Sequence, residues 1–136
     1  MSTPYESATL LIRLYELRRE PTMREARAWF AGFNPTSADD ILEILAGPHS
    51  GHFRMVTSYW DMVASFVLND AIDEKMFNDA NGEQLFIFAK IELVIADYRA
   101  SVGNPNYLKS LETVVMQRAG ARENMASIRE RFGPKR

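Results

Sequence analysis

Three observations predict an all-α fold. Apolar residues recur at helical spacing in nearly every segment. Helix-start and helix-stop residues punctuate the chain at short intervals. The alternation expected of strands is sustained nowhere. The prediction is a single helical bundle of five to seven helices over residues 1–136, with a short flexible tail at about 133–136. The helices at about 50–69 and 83–102 are expected at its centre.

The first helix opens at "TPYE", where Thr3 can cap, Pro4 suits the first helical position and Glu6 completes a capping box. Leu10, Leu11, Leu14 and Leu17 then supply one apolar face, to about Arg19. Pro21 and Thr22 restart the pattern, with Glu25 three residues after Thr22. This second helix carries Trp29, Phe30 and Phe33 and stops at "GFNP". Ser37 caps "ADDILEILA", whose first turn holds Asp39 and Asp40 where the helix dipole favours them.

The fourth helix is expected from near Ser50, acting as its cap, to about Asn69. Phe53, Val56, Trp60, Val63 and Val67 line one face, and the polar stripe is narrow. A helix apolar over most of its girth lies deep. Asp73 caps a short helix, with Ile72 and Phe77 placed for a hydrophobic staple. The next long helix, 83–102, ends at Gly103. Asn104–Pro105 is expected to open the next one, Gly120 to interrupt it, and Met125, Ile128 and Phe132 to mark a last amphipathic stretch.

Composition narrows the chemistry. Of 136 residues, 46% are hydrophobic and 25% charged, which suits a globular chain with a real core. There is no cysteine, so disulfides, thiol catalysis and cysteine-ligated metals are out, and a cytoplasmic setting is expected. The N-terminus shows no signal-peptide pattern. The most apolar stretch, 85–98, carries Lys90, Glu92 and Asp97, so no membrane insertion is expected. Residues 37–97 carry three basic and eleven acidic groups, a net of −8. Residues 98–136 carry eight basic and three acidic groups, a net of +5. The basic end is expected to face the acidic middle, within the chain or across a dimer. It lacks the dense basic run with interleaved aromatics of a nucleic-acid binder, and none is expected as partner. A helix-turn-helix reading fails as well, because "ADDILEILA" is acidic where a recognition helix needs donors for base edges.

The two histidines, His49 and His52, sit in "GPHSGHF". Three-residue spacing suits two ligands on one helix, yet Gly47, Pro48 and Gly51 argue for a turn. Glu-x-x-His pairs of the di-iron type need Glu three residues before each histidine, where Ala46 and His49 stand instead. A helix-opening turn is the expectation, with a weak metal site at His49 and His52 as the alternative and no cofactor expected. An EF-hand read from Asp79 fails, with Gln84 where glycine and Lys90 where glutamate is needed. P-loop, G-x-G-x-x-G and G-x-S-x-G patterns are absent.

Glu92 is the oddest residue, a carboxylate among Leu85, Phe88, Ala89, Ile95 and Ala96 on one helix face. Buried there it needs a partner or a proton. An arginine such as Arg13, or Arg99 through a neighbour, is expected to supply the charge. Asp61, beside Trp60, has a similar but lesser claim. Met55, Met62, Phe66, Phe86 and Phe88 are core material first and cavity lining second.

The stretch "MVTSYWDMVASFVLNDAIDEKMF", with Ile72, Asp73 and Glu74 opening a short helix before a long apolar one, resembles a loosely defined family of uncharacterised all-helical bacterial proteins. The likeness covers about residues 53–115. It implies a helical bundle and transfers no catalytic residue. Many such relatives carry a membrane anchor, and no segment here reads as one.

The expected function is non-enzymatic: a helical interaction or scaffold module that self-associates or binds a protein partner. The alternative is a small-molecule or lipid-binding bundle. Its apolar pocket would lie between the central helices, with Glu92 or Asp61 as the polar anchor and Trp60 and Phe88 as further ligand-binding residues.

Overall fold

The computed structural model describes residues 1–133. The tail expected at about 133–136 therefore lies, beyond Gly133, outside the described residues. Among the described residues there are eight α-helices and no strand. They are α1 (Pro4–Arg18), α2 (Pro21–Ala31), α3 (Ala38–Ala46), α4 (Ser50–Leu68), α5 (Glu74–Ala80), α6 (Glu83–Val102), α7 (Lys109–Gln117) and α8 (Ala121–Phe132). The all-α prediction holds. The count exceeds five to seven because each punctuation ends a helix outright, including Gly120, which sits at φ 72° between α7 and α8.

Local chemistry sets most boundaries. Thr3 and Glu6 close the reciprocal capping box of α1. Ser37 and Asp73 cap α3 and α5 through their side chains. Gly103 ends α6 at φ 70°, a left-handed conformation that glycine adopts without a Cβ penalty. α2 and α4 start at Pro21 and Ser50 as expected, while one expected cap and one expected start are corrected. The cap of α2 is Glu20, whose carboxylate accepts from the Thr22 and Met23 amides. These two bonds hold its pKa below the ordinary glutamate value. Ser50 is the first residue of α4 rather than its cap; His49 occupies the cap position and makes no side-chain capping bond. Residues 105–108 form turns instead of opening a helix, and α7 starts only at Lys109.

The late start of α7 has a tertiary cause. Leu108 is held at φ 54°, a costly conformation for a branched side chain. Its side chain is buried in the core, and the α7 end lacks a cap of its own. Asp61 of α4 supplies one: its Oδ1 accepts from the Leu111 amide at 3.0 Å.

The core draws on every helix. α4 packs against α2 and α7, α6 packs against α3, α7 and α8, and α3 also touches α4. Phe53, Val56, Trp60 and Val63 on α4 are buried, as are Ile87, Phe88, Ile91 and Ile95 on α6. Both helices are thus as deep as their girth of apolar residues requires. Leu17, expected on the inner face of α1, is instead exposed, and Leu10 and Leu11 are half-buried. Among the described residues no helix is long and apolar enough to cross a membrane.

Candidate functional site

The four residues expected to form a pocket serve three separate places. Phe88 is wholly buried in the core and lines nothing. Trp60 is buried too, and its Nε1 donates to Glu83 Oε2 at 2.9 Å. Glu83 is also gripped by Arg27, whose Nη2 donates to Oε1 at 2.7 Å. The Arg18 guanidinium lies 5.1 Å from the Trp60 ring centroid. Asp61 points the other way and caps α7. Replacing Asp61 with alanine is expected to cost about 1–2 kcal/mol, the usual effect of a lost cap, with asparagine restoring most of it. Urea denaturation of the two variants measures this directly.

Glu92 is half-buried, and its partner is neither Arg13 nor Arg99. Arg129 of α8 donates from Nη1 to Glu92 Oε1 at 2.8 Å, and from the same nitrogen to the Ala89 carbonyl at 3.2 Å. The expected meeting of the basic end with the acidic middle occurs here within the chain. Arg99 is spent elsewhere: its Nε donates to the Tyr107 carbonyl and its Nη1 to Glu112 Oε1. Burial alone raises the Glu112 carboxyl, but Lys109 and Arg99 outweigh it and leave the pKa below the ordinary value.

The histidines join an aromatic cluster. The His49 ring stacks on Trp29 with centroids 5.3 Å apart, and His52 lies 5.6 Å from His49. His52 Nε2 stands 3.9 Å from Glu25 Oε1. Among the described residues no group of three or more His, Asp or Glu is placed to hold a metal ion.

The concavity that stands out does not lie between α4 and α6. It is an open groove of about 880 Å³ between α6, α8 and the segment 34–36 that follows α2. Leu93, Val94, Ile128 and Pro35 supply its apolar surface, with Lys90 and Arg129 as its cations. Lys90 is 8% exposed, and its ammonium sits where two helices end. Its Nζ donates to the carbonyls of Ala31, at 2.7 Å, and Phe33, at 3.3 Å, beyond the end of α2. It also reaches Asn34 Oδ1 at 2.9 Å and the Phe132 carbonyl at the end of α8 at 3.3 Å. Helix C-termini present unsatisfied carbonyls and the negative end of the dipole, so a cation belongs there. Burial pulls the Lys90 pKa below the ordinary lysine value. Among the described residues it makes no ion pair.

Sequence reasoning passed over Lys90 as a mere interruption of an apolar run. The signal was present: its helical neighbours three and four residues away are Phe86, Ile87 and Val94, the same pattern that singled out Glu92.

A second feature is the outer face of α1. Tyr5, Ile12 and Tyr15 are 80%, 62% and 55% exposed. With Ala8 between them they follow a three-four spacing that keeps them on one side. The inner side is fixed by polar bonds: Tyr59 donates its hydroxyl to the Leu14 carbonyl at 2.7 Å, and the buried Ser7 hydroxyl accepts from the Asp73 amide at 3.0 Å.

This helical bundle falls in a known class. Residues 5–117 match the family described as Domain of unknown function (DUF4760), and the chain belongs to that family. Its α8, with the groove wall that α8 supplies, lies beyond the matched residues. No curated protein and no solved structure matches the chain.

Proposed function

We propose that the chain is a non-enzymatic helical interaction module that self-associates through the outer face of α1. The observation that carries this reading is the stripe of exposed Tyr5, Ile12 and Tyr15, with the half-buried Ala8 between them. Isolated apolar residues are ordinary on a surface, but a run in coiled-coil spacing along one helix is a seam without a partner. An antiparallel pair of α1 helices suits it. That arrangement opposes the two helix dipoles and brings Glu6, near the start of α1, towards Arg18 and Arg19 of the second copy. A cysteine-free chain fits a bacterial cytoplasmic setting for such a module.

Light scattering after size exclusion tests the reading across a range of concentrations. The expected result is a dimer for the natural sequence and a monomer for Ile12→Glu that keeps its helix content, because Ile12 is outside the core, and melts lower only by the stabilisation that dimerisation gives the natural chain. A natural chain that stays monomeric up to high micromolar concentration overturns it.

A further inference from the structure

We propose that the outer face of α1 takes the α1 of a second copy in one antiparallel register, with Ala8 as the socket for Ile12 of the second copy. This inference rests on the reading of α1 as a self-association face and goes further by fixing which residues meet.

The stripe is complementary to its own reverse. A two-fold axis between antiparallel helices pairs residues that stand equally far on either side of it. Set at the level of Leu10, the axis pairs Tyr5 with Tyr15 of the second copy, and Ala8 with Ile12 of the second copy. Each contact then occurs twice. A methyl group faces a branched side chain, so the two backbones approach closely and Ile12, 62% exposed in the single chain, fills the space over Ala8. A parallel pair would set Ala8 on Ala8 and Ile12 on Ile12, leaving a gap at one level and crowding at the next. It would also align the two helix dipoles, which the antiparallel pair opposes.

The charges fit the same register. Glu6 and Arg13 are seven residues apart and share one flank of α1. Both are exposed, and among the described residues neither makes an ion pair. Like flanks face each other across an antiparallel seam. The axis at Leu10 brings Arg13 of the second copy within one residue of the level of Glu6, about 1.5 Å of rise. Exposed pairs of this kind add little affinity and select the register. The aromatic ends agree. The Arg18 and Arg19 guanidinium groups lie 5.5 and 5.9 Å from the Tyr15 ring centroid, and the ring is still 55% exposed, which leaves surface for Tyr5 of the second copy.

The chain has no cysteine, so single substitutions report contacts without background. Ala8→Cys chains and isotope-labelled Ile12→Cys chains are mixed in equal amounts, equilibrated in the reduced state and oxidised with diamide. Mass spectrometry then counts the covalent products. A disulfide needs Cα atoms within roughly 7 Å. The proposed register sets the two different variants face to face. It offsets two copies of the same variant by four residues, about 6 Å of rise before the gap between the helices is added. The mixed disulfide is expected to exceed either homodimer at least tenfold. Homodimers that match or exceed the mixed product overturn the register, and a dominant Ile12→Cys homodimer means a parallel pair. No covalent product from any mixture, with the natural chain dimeric by light scattering, also overturns the register and leaves self-association standing. A natural chain that is monomeric by light scattering overturns both, so the two failures are told apart.

Discussion

Replacing Trp60 with alanine is expected to lower the unfolding free energy by about 3–5 kcal/mol, the range for removing a large buried aromatic side chain. The ring is 1% exposed and carries three separate duties. It fills the space against Tyr59 and Phe77, whose ring centroids lie 5.0 and 6.4 Å away. It lies under the Arg18 guanidinium and donates to Glu83. Trp60→Phe keeps most of the first duty and loses the hydrogen bond. Glu83 still has Arg27, so the phenylalanine variant should lose only about 1–2 kcal/mol. Urea denaturation of both variants gives the comparison. If the two lose the same amount, the hydrogen bond outweighs the packing, contrary to this account.

The second large effect is at Lys90. Lys90→Met preserves the length and apolar character of the stem but removes the ammonium. The carbonyls of Ala31, Phe33 and Phe132 then lose their shared donor. Hydrogen bonds to a charged group contribute about 1.5–3 kcal/mol, and an expected loss of about 2–3 kcal/mol follows once the methionine's own burial is set against it. The loss should be local in character. Amide exchange is expected to accelerate at the C-terminal turns of α2 and α8 before it does so in α4. A variant as stable as the natural chain would mean that water replaces the ammonium at no cost.

Helix identity was legible because its signals are local. The capping box at Thr3 and Glu6, Ser37 before α3, Asp73 before α5 and Gly103 after α6 each act within one turn of chain. The caps of α2 and α4 and the start of α7 were read less well. Glu20 holds the cap position of α2, because its carboxylate spans the amides of Thr22 and Met23. His49 takes the position that Ser50 was expected to hold. At α7 the cap comes from Asp61, fifty residues earlier, and no local pattern announces it.

The candidate sites followed the same division. Glu92 stood out on its helix face, but its partner Arg129 is 37 residues away and was chosen by the packing of α8 on α6. Trp60 and Asp61 are neighbours in sequence and opposite in role, because successive helical residues point about 100° apart. One faces the core and Glu83; the other faces the start of α7. Lys90 carried a readable signal, yet its role depended on where α2 and α8 end.

Taken alone, the sequence determined that this chain is helical, where most of its helices stop, and that α4 and α6 are its deep members. Helix propensity, capping and apolar periodicity depend on residues within a few positions of each other, so they can be read in order. The tertiary structure alone decided which charges meet and where the concave surface lies. It also decided which apolar residues, such as Leu93, Ile12 and Tyr15, are left outside. Those outcomes depend on how helix ends converge, and convergence is set by the packing of side chains far apart in the chain.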